Sequence, residues 1–204
     1  VWLVLQAEIY PPMLIRGGRK FHIRSYLLAV EDLRDESDEL LHVFLYNHHE
    51  VRIAGTAVSD TSTDRNRDAH ITNGAHQAHT ERILHHEVFD EIPMEQWEGL
   101  EVFVAKTIMH LMPDIERRVQ YTATKTPPSI AKFALAGLDL MMTSDGRIYL
   151  MEVNVNPSAP PKNVVSSEGF RKHLVQFVRD MMDVVEGKAN DENGFILLGE
   201  ILEN

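Results

Sequence analysis

Between Arg19 and Val30 the chain reads RKFHIRSYLLAV, with apolar and polar positions in near alternation. Successive side chains of a strand point to opposite faces, so Phe21, Ile23 and Leu27 fall on one side and Lys20, His22 and Arg24 on the other. The segment is predicted to be a strand with one apolar and one cationic face. Leu41 to Tyr46 reads as a second strand, the polar run Asn47-His48-His49-Glu50 as its turn, and Val51 to Ala54 as the returning strand of a hairpin that carries Arg52. From Ser59 to Thr80 the chain is rich in Asp, Thr, Asn and His without periodicity, which predicts a long loop of the kind that often carries function.

After Met94 the period changes. Trp97, Leu100, Val104, Ile108 and Leu111 recur every three or four residues, as on one face of a helix, and Pro113 is expected to interrupt it. A Thr/Pro segment around 122–129 leads into GLDLMMTSDGRIYLMEVNVNP, two apolar runs about an Asp-Gly turn signal. Ser166 or Ser167 can cap a last helix whose apolar face is Phe170, Leu174, Phe177, Met181 and Val185, with Gly187 as its stop. Residues 1–187 read as one unit and 188–204 as an acidic tail or final element. The opening Val1 to Leu5 has no polar lead-in and reads as a strand already inside a fold, so the chain is treated as a fragment.

The Asp-Gly hairpin is where chemistry gathers. A two-residue type I′ turn at Asp145-Gly146 would place Asp139 directly opposite Glu152, with Asn154 two residues on and therefore on the same face. Opposed side chains have Cβ atoms roughly 5 Å apart, and like charges at that range destabilise a sheet unless neutralised. An all-oxygen set of two carboxylates and an amide suits Mg²⁺. Leu138, Leu140, Met151 and Val153 would occupy the opposite, apolar face. Taken alone, the acidic pair also fits a solvated edge, and the row Lys20, His22, Arg24 a solvated cationic face. Carboxylates in need of a cation and cations in need of anions are satisfied together by Mg·ATP.

Composition narrows the classes. There is no cysteine, so any metal must use oxygen or imidazole ligands. The formal charge of −11 argues against nucleic acid and anionic membranes as partners. No apolar run approaches a membrane span and no secretory signal opens the chain, so the default address is the cytosol. Neither G-x-S-x-G nor H-E-x-x-H is present. The eleven histidines raise an imidazole metal site, from His70, His76 and His79 or from the pairs His48-His49 and His85-His86, at spacings that match no familiar zinc pattern.

The strings RKFHIRSYLLAV, HITN, GLDLMM and MEVNVNPS, in this order, resemble the signatures of the tubulin-tyrosine-ligase-like family, a branch of the ATP-grasp fold, from about Gln6 to the last helix. The resemblance implies an α+β, ATP-grasp-like architecture, an antiparallel sheet with packed helices. It implies that Lys20 touches ATP phosphates, that Asp139, Glu152 and Asn154 hold magnesium, and that Thr72 and Asn73 lie beside the nucleotide. Gln6 and Ile9 fall where a linker strand meets adenine, and Arg24, Arg52 and His70 face the substrates. Two positions depart from the pattern: His22 stands where many members have aspartate, and Gln6-Ala7-Glu8 replaces the usual Gln-Lys-Tyr. The family's further ATP-gripping lysines lie upstream. The chemistry implied is an ATP- and Mg²⁺-dependent ligation of a free amino acid to a protein or peptide carboxylate through an acyl phosphate, with tubulin as a candidate acceptor and the cytoplasm or microtubules as the place. The alternative is a pseudoenzyme that keeps the shell as a binding or scaffold module.

Overall fold

The computed structural model describes residues 8–31, 41–58, 66–70, 72, 80–123, 132–155, 157, 165–166 and 168–203. In chain order these form β1 (Leu14–Ile15), β2 (Arg19–Glu31), β3 (His42–Tyr46), β4 (Glu50–Ile53), α1 (Arg67–His70), β5 (Glu81–Leu84), a 3-10 turn (His85–Val88), α2 (Met94–Ala123), β6 (Lys132–Met142), β7 (Ile148–Val155), β8 (Val165–Ser166), α3 (Glu168–Val185), β9 (Phe195–Leu197) and α4 (Leu198–Glu203). The strands make one sheet in the order β7-β6-β2-β4-β5-β8, with β1 and β3 also on β2 and β9 on β3. Every pairing is antiparallel except β5 with β8. The α+β class is as expected.

β2 organises the molecule. Its alternation holds: Phe21, Ile23 and Leu27 join Leu45, Val51, Ile53, Leu138 and Leu140 in the main core, closed by Trp97, Leu100, Val104 and Ile108 of α2. Each such side chain removed from water contributes roughly 1.5–3 kcal/mol before chain entropy is set against it. On the other face, Leu28, Val30 and Tyr46 meet Phe177 and Val184 of α3 and Phe195 of β9 in a second core. α3 thus covers only one half of that face. The half carrying Lys20, His22 and Arg24 lies beyond it. Residues after 187 are built into the body: β9 pairs with β3, and α4 packs on α2.

Three expectations are corrected. β3 and β4 are not a hairpin. They do not pair with each other; both run antiparallel along the same edge of β2, β3 against Leu27–Val30 and β4 against Phe21–Arg24. Partner numbers sum to 72 along β3 (Leu27↔Leu45) and to 74 along β4 (Arg24↔Glu50), so two extra residues are taken up at the break between Tyr46 and Glu50. A polar run reads as a turn whether the chain reverses or only shifts register, and β2, at 13 residues, is long enough to carry both strands.

The β6–β7 turn is also longer than two residues. Met142 pairs with Ile148, and Thr143 closes the loop, its N–H donating to Arg147 O at 2.9 Å and its hydroxyl accepting from Arg147 N at 3.0 Å. That register would put Asp139 opposite Met151. An irregularity between Asp139 and Leu140 inserts one residue in β7 and restores Asp139↔Glu152. Met151 and Val153 accordingly do not join a buried face: they are 39% and 51% exposed on an edge strand, whereas Leu138 and Leu140 are in the core.

Finally, Pro113 does not end α2, which runs through it to Ala123. Proline removes one backbone donor, and a long helix anchored by its apolar face can tolerate that local loss. Of the two expected caps for α3, Ser166 belongs to β8 and Ser167 lies outside the described residues. The stop at Gly187 is as expected: φ is +69°, and Gly187 N and Lys188 N donate to Val184 O and Asp183 O at 3.0 and 2.7 Å, the paired closure of a helix end. Among the described residues no helix is long and apolar enough to cross a membrane.

Candidate functional site

The sheet face that α3 leaves uncovered is built by register. His22 lies opposite Arg52, Arg24 lies between Glu50 and Asp139, and Asp139 lies opposite Glu152. Six polar positions on four adjacent strands therefore share one face. The cationic row on it is not solvated: Lys20, His22, Arg24 and Arg52 are 9%, 6%, 7% and 5% exposed. Charges this buried must be paired or bind a ligand.

Asp139 is the hub of one pairing. Arg24 donates to it through Nε at 2.6 Å and Nη2 at 2.9 Å, a two-pronged ion pair, and Asn154 Nδ2 donates to the same Oδ2 at 3.1 Å. Burial pushes the Asp139 carboxyl up, but the Arg24 hydrogen bonds, with Arg24 and Arg52 as neighbouring charges, outweigh it and hold the group below its ordinary range. His22 bonds Thr72 Oγ1 through Nδ1, and its Nε2 is 3.7 Å from Asp139 Oδ1. Burial, helped by Arg52 and Arg24 against the pull of Asp139, pushes His22 down to about 4, so it is a neutral imidazole at physiological pH. The face is cationic through Lys20 and the arginines alone.

Gly137 makes room for this pair. A Cβ there would meet Arg24 Nη1 at 2.8 Å, Arg24 Cδ at 3.0 Å and Pro157 Cβ at 3.1 Å. The glycine that opens GLDLMM is thus where the guanidinium crosses the neighbouring strand.

Lys20 Nζ lies 2.9 Å from Glu8 Oε1 and 3.1 Å from His70 Nδ1. Arg52 is paired with Glu50 through Nε and Nη2, both at 3.1 Å, and Arg82 Nη1 reaches the same carboxylate at 3.1 Å. Ile9 is half-buried, next in sequence to Glu8. Gln6 and Asn73 lie outside the described residues. The structure so gathers Lys20, His22, Arg24, Arg52, His70, Thr72, Asp139, Glu152 and Asn154 around one face.

Glu50, Arg82 and Tyr26 were not among the expected residues. Tyr26 continues the alternation Lys20-His22-Arg24 by one step, which could have found it. Glu50 was assigned to a turn, and Glu81–Leu84 is too short a run for its strand to be read. The histidine pairs do meet. Ring centroids of His48 and His173 are 5.2 Å apart and those of His49 and His85 5.3 Å, yet among the described residues no three imidazole or carboxylate side chains are placed to hold a metal ion. His76 and His79 lie outside the described residues.

The donor set at the β6–β7 end fits magnesium. Mg²⁺ takes oxygen ligands, usually one or two carboxylates with water and phosphate oxygens, and does not need a closed protein cage. Asp139 and Glu152 supply two carboxylates across one strand pair, and the Asn154 amide, already within hydrogen-bond distance of Asp139, supplies a neutral oxygen when its plane is turned over.

The profile described as the tubulin-tyrosine ligase family matches residues 2–191. Similar proteins include the tubulin polyglutamylase TTLL6 of Mus musculus and of Homo sapiens, each 26% identical over 76% of this chain, and the tubulin polyglutamylase ttll6 of Danio rerio, 24% identical over the same share. The match covers 20%, 19% and 22% of those three proteins, so the chain spans about a fifth of the length of the relatives it matches.

Proposed function

The chain belongs to the tubulin-tyrosine ligase family, and from that premise we propose that it carries part of the active site of an ATP- and Mg²⁺-dependent ligase joining a free amino acid to a protein carboxylate. The observation that carries this is the polar face beyond α3: Lys20, Arg24 and Arg52 buried as charges beside the opposed carboxylates Asp139 and Glu152. Cations this buried are costly to maintain unless each is paired or bound to a ligand.

In this reading Lys20 holds phosphate oxygens of ATP, with Thr72 and Asn73 beside the nucleotide and Gln6 and Ile9 along the adenine. Asp139, Glu152 and Asn154 would hold the magnesium, which would supply charge neutralisation for the phosphates. An acceptor carboxylate oxygen attacks the γ-phosphorus and ADP leaves. The amine nitrogen of the incoming amino acid then attacks the acyl carbon, phosphate leaves, and an amide bond remains. No protein nucleophile is required; positioning and charge neutralisation by Arg24 and Arg52 carry the rate. His70, within reach of Lys20, orients that ammonium beside the substrates. The similarity to tubulin polyglutamylases supports glutamate as the amino acid and tubulin as the acceptor, in the cytoplasm or on microtubules.

The test is ATP binding to the full-length protein by calorimetry with and without Mg²⁺, beside E152Q combined with D139N. Magnesium-dependent binding that the double change abolishes supports the ligase reading. Absence of binding to the native protein overturns it and leaves the second reading, a scaffold built on an inherited fold, which the altered Gln6-Ala7-Glu8 sequence favours.

A further inference from the structure

Glu50 stands at the centre of an arrangement of which the reaction above uses only Arg52. Its Oε1 accepts from Arg52 Nε at 3.1 Å and makes an ion pair with Arg82 Nη1 at 3.1 Å, and its Oε2 accepts from Arg52 Nη2 at 3.1 Å and from the Tyr26 hydroxyl at 3.2 Å. A carboxylate offers about four acceptor sites, so Glu50 is saturated. Burial, with Glu50 beside it, raises the Tyr26 hydroxyl above its ordinary range, which keeps it a donor here.

Arg82 is left short. It is 5% exposed, and among the described residues its Nε is buried with no hydrogen-bond partner. It lies directly across the strand from Arg52, and like charges so placed repel unless an anion stands between them. Glu50 is that anion for both, one negative charge against two positive ones. The nearest other carboxylate on the face, Asp139, is engaged by both prongs of Arg24. Of the three guanidinia, Arg24 pairs with Asp139 while Arg52 and Arg82 share Glu50, and the unmet donor belongs to the outermost of the three. Among the described residues β8, two residues long, is the last strand beyond β5, so Arg82 stands near the rim of the face.

We propose that Arg82 and Arg52 form a binding site for a substrate carboxylate, received by the free Nε edge of Arg82, and that Glu50 is the positioning residue that holds the two guanidinia side by side. A planar guanidinium presents parallel N–H donors that match a carboxylate, and an anion here would balance the surplus charge. The inference rests on the ligase reading, which supplies two such groups: the side-chain carboxylate of the acceptor and the α-carboxylate of the free amino acid.

The experiment is calorimetry on the full-length protein loaded with magnesium and a non-hydrolysable ATP analogue. One arm titrates L-glutamate and the other a glutamate-rich peptide, for native protein, R82Q and R82K. Both substitutions are expected to weaken one arm about tenfold or more while nucleotide affinity stays within about twofold, and the arm that responds identifies the carboxylate. If R82Q does not fold, R82K carries the test, because lysine keeps the charge toward Glu50 but lacks the Nε–H edge. Carboxylate binding unchanged in folded R82K overturns the proposal and leaves Arg82 a structural partner of Glu50. So does a native protein that binds nucleotide but neither probe, with the nucleotide site still standing. If the native protein binds no nucleotide, the ligase reading fails, and the same titrations without nucleotide decide the carboxylate site on its own.

Discussion

Arg24 and Asp139 face each other on neighbouring strands and close a two-pronged ion pair at 2.6 and 2.9 Å. Removing one member of a buried pair strands the other, at a cost of about 3–5 kcal/mol, and Asp139, whose side chain is 13% exposed, belongs near the lower bound. D139N is therefore expected to lower stability by about 3 kcal/mol in urea unfolding without metal or nucleotide. The double change R24Q and D139N should recover part of the loss. Strict additivity of the two would show that they are not coupled.

Gly137→Ala places a methyl group 2.8 Å from Arg24 Nη1, too close to keep. The guanidinium must move off Asp139 or the strands must part. A loss of about 1–3 kcal/mol is expected, with weakened magnesium-dependent nucleotide binding. A variant with native stability would show that Arg24 has another place to go.

Acid should unfold the protein earlier than its carboxylates alone require. Burial chiefly holds His22 and His173 down to about 4 and His85 down to about 3. In the unfolded chain these histidines take up protons near pH 6.5, while in the native state they stay neutral until pH 3–4. The unfolded state thus binds more protons between those limits, and stability falls as pH drops from about 6.5 toward 4, by at most about 1.4 kcal/mol per unit for each group. Asp139 and Glu50, both held below their ordinary range, add to the loss at the lower end as they take up protons. Urea unfolding at pH 7 and 5 tests this: H85F should flatten the slope, and an unchanged slope would remove His85 from the account.

Gly187→Ala asks a side chain to adopt φ +69° at the end of α3. About 1 kcal/mol should be lost, confined to the helix terminus, and amide exchange should quicken at Gly187 and Lys188 before it does at Phe177.

The frame of the site was legible and its interior was not. Alternation places Lys20, His22 and Arg24 on one face of β2 whether that face is wet or buried. Their burial depends on what lies above the sheet, which no local pattern reports. The Glu50–Arg52–Arg82 cluster was missed for a related reason. Asn47 to Glu50 carries turn residues, yet the chain continues along β2 after a shift of two, and only the 13-residue length of β2 makes room for that. Asp139 and Glu152 were paired correctly from a turn of the wrong length, because the longer turn and the extra residue in β7 cancel.

That cancellation divides β7 into two frames. Ile148 and Leu150 are phased to the core by the turn, whereas Glu152 and Asn154 are phased to the site by the irregularity after it. The exposed tip at Ser144, Asp145 and Gly146 is mechanically isolated from the carboxylates it introduces. It is a splice point: a short epitope or fluorophore-bearing loop can be set there as a reporter, with the carboxylates still in step.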